Sequence, residues 1–187
     1  MEKDKKNSII FLDFDGVLAL SSEWGGRYKK KGFDSNPETP MDTRMDNFNE
    51  KAVKVLNKII EETDCELVIS SDWKKQGTLE QIQEMFITRG IKPPIDITPF
   101  CSVLFREGKL PNDFVLPHFN KTEYERHIEI LHWLKEHPEV THWVAVDDLD
   151  MSKRDGWGLE NFVHCKRPNL EGIKQSGLKE KILKFLE

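Results

Sequence analysis

Ile9-Ile10-Phe11-Leu12-Asp13-Phe14-Asp15-Gly16-Val17-Leu18 sets two carboxylates one residue apart at the end of an apolar run. Four consecutive apolar residues, with charge before them and glycine after, predict a strand buried on both faces, as in the middle of a parallel sheet. Gly16 frees the backbone to turn, and in open α/β sheets ligands gather beyond the carboxyl ends of the strands. Taken alone, Asp-x-Asp-Gly reads equally well as a polar turn, so the rest of the chain has to decide. Two further runs have the same form: Glu66-Leu67-Val68-Ile69 stops at Ser70-Ser71-Asp72-Trp73, and Trp143-Val144-Ala145-Val146 stops at Asp147-Asp148-Leu149-Asp150.

Helical patterns alternate with these runs. Ala52, Val53, Leu56, Ile59 and Ile60 recur at helical spacing between Asn49 and Thr63. Thr78 and Gln81 form a capping-box signal ahead of Leu79, Ile82, Met85 and Phe86. Thr122 and Glu125 repeat that signal ahead of a helix whose inward face is expected to be Tyr124, Ile128, Leu131 and Leu134. Phe162-Val163-His164 reads as a last short strand, and Leu178, Ile182, Leu183 and Leu186 mark a closing helix. The alternation predicts an α/β fold, a three-layer sandwich around a mainly parallel, Rossmann-like sheet.

The 187 residues fit one domain, 1–187, with a sizeable core. Two stretches interrupt the alternation and are expected to be insertions or loops near the site, 21–47 and 93–120. The first carries Trp24, Arg27, Tyr28, Lys29, Lys30, Lys31 and Phe33. It has the composition of a solvated loop, and also the mixture of aromatics and cations that suits a phosphate-bearing or nucleic-acid ligand. The second holds Pro93, Pro94, Pro99, Pro111 and Pro117; in it Ile95 to Ile97 looks strand-like, and Val103-Leu104-Phe105 is expected to pair with Phe114-Val115-Leu116 across Gly108 as a hairpin. Both are too short for a lid domain of usual size, which leaves an open site under at most a small cap.

A net charge of −5 argues against a general nucleic-acid coat protein. Cys65, Cys101 and Cys165 are scattered and odd in number, so neither a disulfide framework nor a Cys-x-x-Cys zinc site is indicated. The N-terminal apolar run is too short for a signal-peptide core or a membrane span. A soluble, cytoplasmic protein in a reducing compartment is expected, with no membrane partner. His127, His132 and His137 recur every five residues, which does not stack them on one helix face.

A parallel sheet brings Asp13 and Asp15, Ser70 and Ser71, and Asp147 and Asp148 to one edge. Four carboxylates there repel unless a cation neutralises them, and oxygen-only ligands favour Mg²⁺ over zinc. Carboxylates, Mg²⁺ and a hydroxyl donor are the apparatus of phosphoryl transfer through an acyl-phosphate, with Asp as the covalent nucleophile.

Asp13-Phe14-Asp15-Gly16-Val17 after a strand, Ser70 after Leu67 to Ile69, and Asp147-Asp148 after Trp143 to Val146 resemble, in order, motifs I, II and IV of the haloacid dehalogenase (HAD) superfamily. More narrowly, Ser70 to Trp73, Arg126-x-x-Glu129-Ile130 with Trp133-Leu134, Val146 to Asp148 and the stretch from Gly172 to Leu178 resemble the small HAD domain of Swiss Army Knife RNA-repair proteins. The resemblance implies a Mg²⁺-dependent phosphatase in which Asp13 attacks phosphorus. Asp15 would serve as general acid and then general base, and Ser70 would hydrogen-bond a phosphoryl oxygen. It also implies metal ligation by Asp13, the Asp15 backbone carbonyl and Asp147, with Asp148 ligating or orienting. The family's basic residue, usually Lys, is matched best by Arg126, with Lys121 as rival. Substrate contacts are expected from Gly16, Ser71, Lys29 and Lys30.

The expected substrate is a phosphomonoester, with a nucleotide or nucleic-acid end as one option beside a small metabolite or phosphoprotein. A phosphotransferase would use the same residues. A non-catalytic phospho-Asp signalling module would need its acceptor Asp at the mid-chain strand end, where Ser70 stands. The sequence leaves the oligomeric state open.

Overall fold

The computed structural model describes residues 7–21, 36–111, 114–154, 156–167 and 169–187. Among them, β1 (Ser8–Leu12), β2 (Glu66–Ile69), β3 (Asp96–Ile97), β4 (His142–Asp147) and β5 (Phe162–His164) form one sheet in the order β3-β2-β1-β4-β5. Every pairing is parallel. The helices are α1 (Met41–Arg44), α2 (Glu50–Thr63), α3 (Leu79–Thr88), α4 (Cys101–Arg106), α5 (Lys121–Glu136) and α6 (Leu178–Leu186).

The two faces of β1 show why the sheet sits in the middle of three layers. Side chains alternate across a strand: Ile10 and Leu12 join Ala52, Leu56 and Ile59 of α2, Ile82 and Phe86 of α3, and Ile182 of α6 in one apolar core. Ile9 and Phe11 face the other way, into a core with Ile130 and Trp133 of α5, Met151 and Leu159. All five residues of β1 are buried. That is why four of the five, Ile9 to Leu12, form a continuous apolar run.

Local signals work where backbone chemistry sets them. The side chain of Asn49 caps α2 by accepting from the N–H groups of Lys51 and Ala52, and Thr78 with Gln81 forms the expected capping box on α3. The box expected at Thr122 and Glu125 does not form. The chain enters α5 through Asn120 in the left-handed region, φ 55°, without a side-chain cap, and Lys121 is already helical. Thr122 is therefore inside the first turn, where its hydroxyl cannot act as an N-cap.

Two further expectations are corrected. Val103-Leu104-Phe105 is no strand and makes no hairpin with Phe114 to Leu116; it lies in α4, which buries Cys101 and Leu104, three residues apart, on one helical face. The buried residues of α5 are Arg126, His127, Glu129, Ile130 and Trp133. Of the four expected to face inward, Leu134 does pack against the core beside them, Tyr124 and Ile128 are only half-buried, and Leu131 is exposed. Of the stretch 93–120, the short strand β3 extends the sheet beside β2. The three cysteines are free and buried. No helix among the described residues is long and apolar enough to cross a membrane.

Candidate active site

Register assembles the site. Leu12 of β1 stands beside Ile69 of β2 on one side and Val146 of β4 on the other. The next residue along each strand, Asp13, Ser70 or Asp147, therefore arrives at the same level of the sheet. Backbone bonds hold that level past the end of β1: Asp13 N–H donates to Val146 O at 3.1 Å, and Ser70 N–H donates to Leu12 O at 3.0 Å.

The loop after Asp13 is tied down from the C-terminal side. Gly16 has φ 71°, which lets the chain double back so that its N–H reaches Ala19 O at 2.9 Å. Ile173 N–H donates to Val17 O at 3.1 Å. Gly172, at φ 50°, comes so close that a Cβ there would lie 2.3 Å from Val17 O. Only glycine permits both that φ and that approach. Beneath the loop, Phe14 packs against Phe48, Trp73 and Phe86 with ring centroids 5.2–5.4 Å apart.

Asp13 and Asp147 are almost wholly buried. Each of Asp13, Asp147 and Asp148 offers a carboxylate oxygen within 4.8 Å of those of the other two. Arg126, buried on α5, answers them with one nitrogen: Nη1 lies 2.7 Å from Asp147 Oδ2 and 3.3 Å from Asp13 Oδ2. Nη2 reaches 4.0 Å from Asp72 Oδ2. The Ser71 hydroxyl and the Phe14 N–H donate to Asp13, and Leu149 N–H donates to Asp147 Oδ1 at 2.8 Å.

One cation does not balance three acids. Burial, and next the charge of Asp147, push the Asp13 carboxyl up to about 7 against the pull of Arg126. Burial pushes Asp147 up to about 6. Burial and the charge of Asp13 raise Asp148 to about 6, and Asp15 adds to that repulsion. Burial opposes the charge of Arg126, but Asp13 and Asp147 outweigh it and hold the guanidinium above its ordinary value. The Ser70 hydroxyl is buried at the same edge with no hydrogen-bond partner among the described residues. An unsatisfied buried donor beside excess negative charge is a place where a ligand oxygen and a cation restore balance.

Lys121 lies apart from this cluster. Its side chain is largely exposed and its Nζ is 3.9 Å from Glu125. Lys29 and Lys30, with the rest of the aromatic and basic cluster at 24–33, fall outside the described residues.

Sequence reasoning missed Lys74 and gave Glu129 no role of its own. Lys74, just past Ser70 and Ser71, is buried with its Nζ 2.5 Å from Glu129 Oε2. It also donates to Thr98 O, Thr98 Oγ1 and Pro99 O at 2.9–3.2 Å, while Glu129 Oε1 accepts from Cys101 N–H at 2.8 Å. The available signal was the spacing from Arg126 to Glu129, three residues and hence one helical face.

A family model described as the HAD domain in Swiss Army Knife RNA repair proteins matches residues 9–174. No curated protein and no solved structure gives a match.

Proposed function

We propose, from the premise that the chain belongs to this HAD domain family, that it is a Mg²⁺-dependent phosphatase acting on the phosphate end of a nucleotide or nucleic acid through an aspartyl-phosphate. The observation that carries the reading is the three-carboxylate cluster bridged by Arg126. The donor set fits the ion: all oxygen, three negative charges against one positive, in a form hard cations accept. Asp13, Asp147 and Asp148 would hold Mg²⁺ together with the Asp15 backbone carbonyl. When bound, the ion would offset the charge of the substrate phosphoryl group.

The chain's own residues supply the rest. An Asp13 oxygen attacks phosphorus, the ester P–O bond breaks, and the leaving oxygen takes its electron pair and a proton from Asp15. Water then attacks phosphorus, gives its proton to Asp15, and the P–O bond to Asp13 breaks to release inorganic phosphate. Arg126 steadies the phosphoryl oxygens near Asp13, and the unpartnered Ser70 hydroxyl donates to one of them. The residue that follows β2 is Ser70 rather than an acceptor Asp, which speaks against a phospho-Asp signalling module.

The test is hydrolysis of a chromogenic aryl phosphate and of 5′- and 3′-phosphorylated oligonucleotides with and without Mg²⁺. Expected are metal-dependent release of inorganic phosphate and an acid-stable phosphoenzyme, both missing in Asp13→Asn. Turnover that survives Asp13→Asn sinks the mechanism. Phosphate passed to an added hydroxyl acceptor instead of water would mark a transferase.

A further inference from the structure

Two depressions meet beside the N-terminal half of α5. One is a polar cleft of about 230 Å³ with Asp72, Lys74, Lys75 and Arg126 in its wall. The other is a groove of about 460 Å³ lined by Phe105, Phe114, Val115 and Leu116, with Lys121 at its side. Cys101, Ser102 and Glu125 line both, so the groove is continuous with the cleft that holds Arg126, 3.3 Å from Asp13.

The groove has an aromatic row. The Phe105 and Phe114 centroids are 6.5 Å apart, and Phe114 stacks on Tyr124 at 6.1 Å with 29° between the planes. These apolar groups stay in contact with solvent: Phe105 is 61% exposed, and Val115 is 79% exposed. A continuous apolar face left this open marks a binding surface more often than a packing fault.

The chemistry changes along the path. Arg126 stands at the end beside Asp13, next to the Lys74–Glu129 and Lys75–Asp72 pairs, and flat apolar rings stand at the other. Lys121, beside the groove, and Arg126, in the cleft, are about 7.5 Å apart along the axis of α5. Resting on the phosphatase reading above, we infer that this groove seats the nucleobase of the terminal nucleotide whose phosphate lies at Asp13, stacking it against Phe105 and Phe114. The seat makes the enzyme a reader of the end's base as well as its phosphate.

The test uses pairs of phosphorylated oligonucleotides, identical except that the terminal nucleotide carries or lacks its base. Stacking of one base supports a preference of roughly 5- to 100-fold in kcat/KM for the base-bearing member, expressed in KM. Phe105→Ala and Phe114→Ala bring that ratio close to one. Ile87→Ala, an equally exposed apolar residue on α3, leaves it unchanged. Binding of the same pairs by the Asp13→Asn protein, followed by fluorescence anisotropy, shows the same preference and judges the seat without turnover.

Aryl phosphate hydrolysis without any base preference overturns the seat and spares the phosphatase. Loss of all turnover with the anisotropy preference intact overturns the phosphatase and spares the seat. Equal losses for both substrates in the Phe variants also overturn the seat, as does a dimer in sedimentation that these variants dissolve without changing the ratio.

Discussion

Two groups of buried charge share helix α5, one turn apart, and they are solved in opposite ways. Around Glu129 the charges balance: one ammonium meets one carboxylate at 2.5 Å, and the remaining donors and acceptors are met by Thr98, Pro99 and Cys101. Around Arg126 they do not balance, since one guanidinium faces Asp13, Asp147 and Asp148. The neighbourhood is the same, so environment alone does not explain the difference. The balanced pair ties the segment after β2, the start of α4 and the middle of α5 into one frame. The unbalanced cluster is what that frame presents to a ligand.

If this division is right, Asp13→Asn separates activity from stability. Removing the nucleophile should lower hydrolysis by roughly 10⁴-fold or more, while the metal-free protein keeps its melting temperature or gains a little because a repelling buried carboxylate is gone. Kinetics and thermal melting on the same preparation check both halves. A variant that loses activity by unfolding would erase the contrast between the two groups.

Glu129→Gln should do the reverse and act first on the fold. It strands the Lys74 ammonium in a buried site, and breaking a buried pair by removing one partner costs about 3–5 kcal/mol, roughly 10 °C in a domain of this size. Lys74→Met combined with Glu129→Leu removes both charges and should lose clearly less than the two single changes added together. Full additivity in that double-mutant cycle would show that the two side chains do not act as a unit.

The unbalanced cluster should also give the protein a pH-dependent need for metal. Burial and mutual repulsion raise the folded-state pKa values of Asp13, Asp147 and Asp148 to about 6–7, from an ordinary 3.8. Between about pH 4 and 7 the folded state thus binds more protons than the unfolded state, and metal-free stability falls as pH rises through that window. Mg²⁺ competes with those protons, so its stabilising effect grows with pH. Thermal melts should show a larger rise on adding Mg²⁺ at pH 8 than at pH 5.5, and Asp147→Asn should remove most of it. An equal rise at both pH values would count against the carboxylates as the binding site.

The same contrast explains what could be read from sequence. β1, β2 and β4 were legible because a strand buried on both faces is a short apolar run, and the acids stood out at its end. The order of Asp13, Ser70 and Asp147 then located the sheet edge. The face of α5 was misread because hydrophobic periodicity assumes that an inward face is apolar, whereas here it turns Arg126 and Glu129 inward to meet charges supplied by distant segments. Lys74 carries no local signal for the same reason: its partner lies 55 positions away. α4 was missed because three apolar residues carry no period, and a helix of six residues is decided by what it packs against. Local rules failed where long-range charge set the structure, which is where function is expected.

A third ion pair sharpens the comparison with the smallest expected effect. Lys179 Nζ lies 2.6 Å from Glu62 Oε1, joining α6 to α2, almost as short as the Lys74–Glu129 contact. Judged by distance, the two pairs should be worth the same. They differ in solvent: the side chains of Lys179 and Glu62 are 24% and 41% exposed, those of Lys74 and Glu129 3% and 10%. Water screens the first pair and would solvate either partner left alone, so Lys179→Ala should cost about 0.5 kcal/mol, a small fraction of the Glu129→Gln loss. Added salt should shrink that cost further while leaving the Glu129→Gln loss largely in place. Comparable losses for the two variants would mean that contact length, rather than burial, sets what an ion pair contributes here, and the distinction between a structural pair and a site on α5 would lose its physical basis.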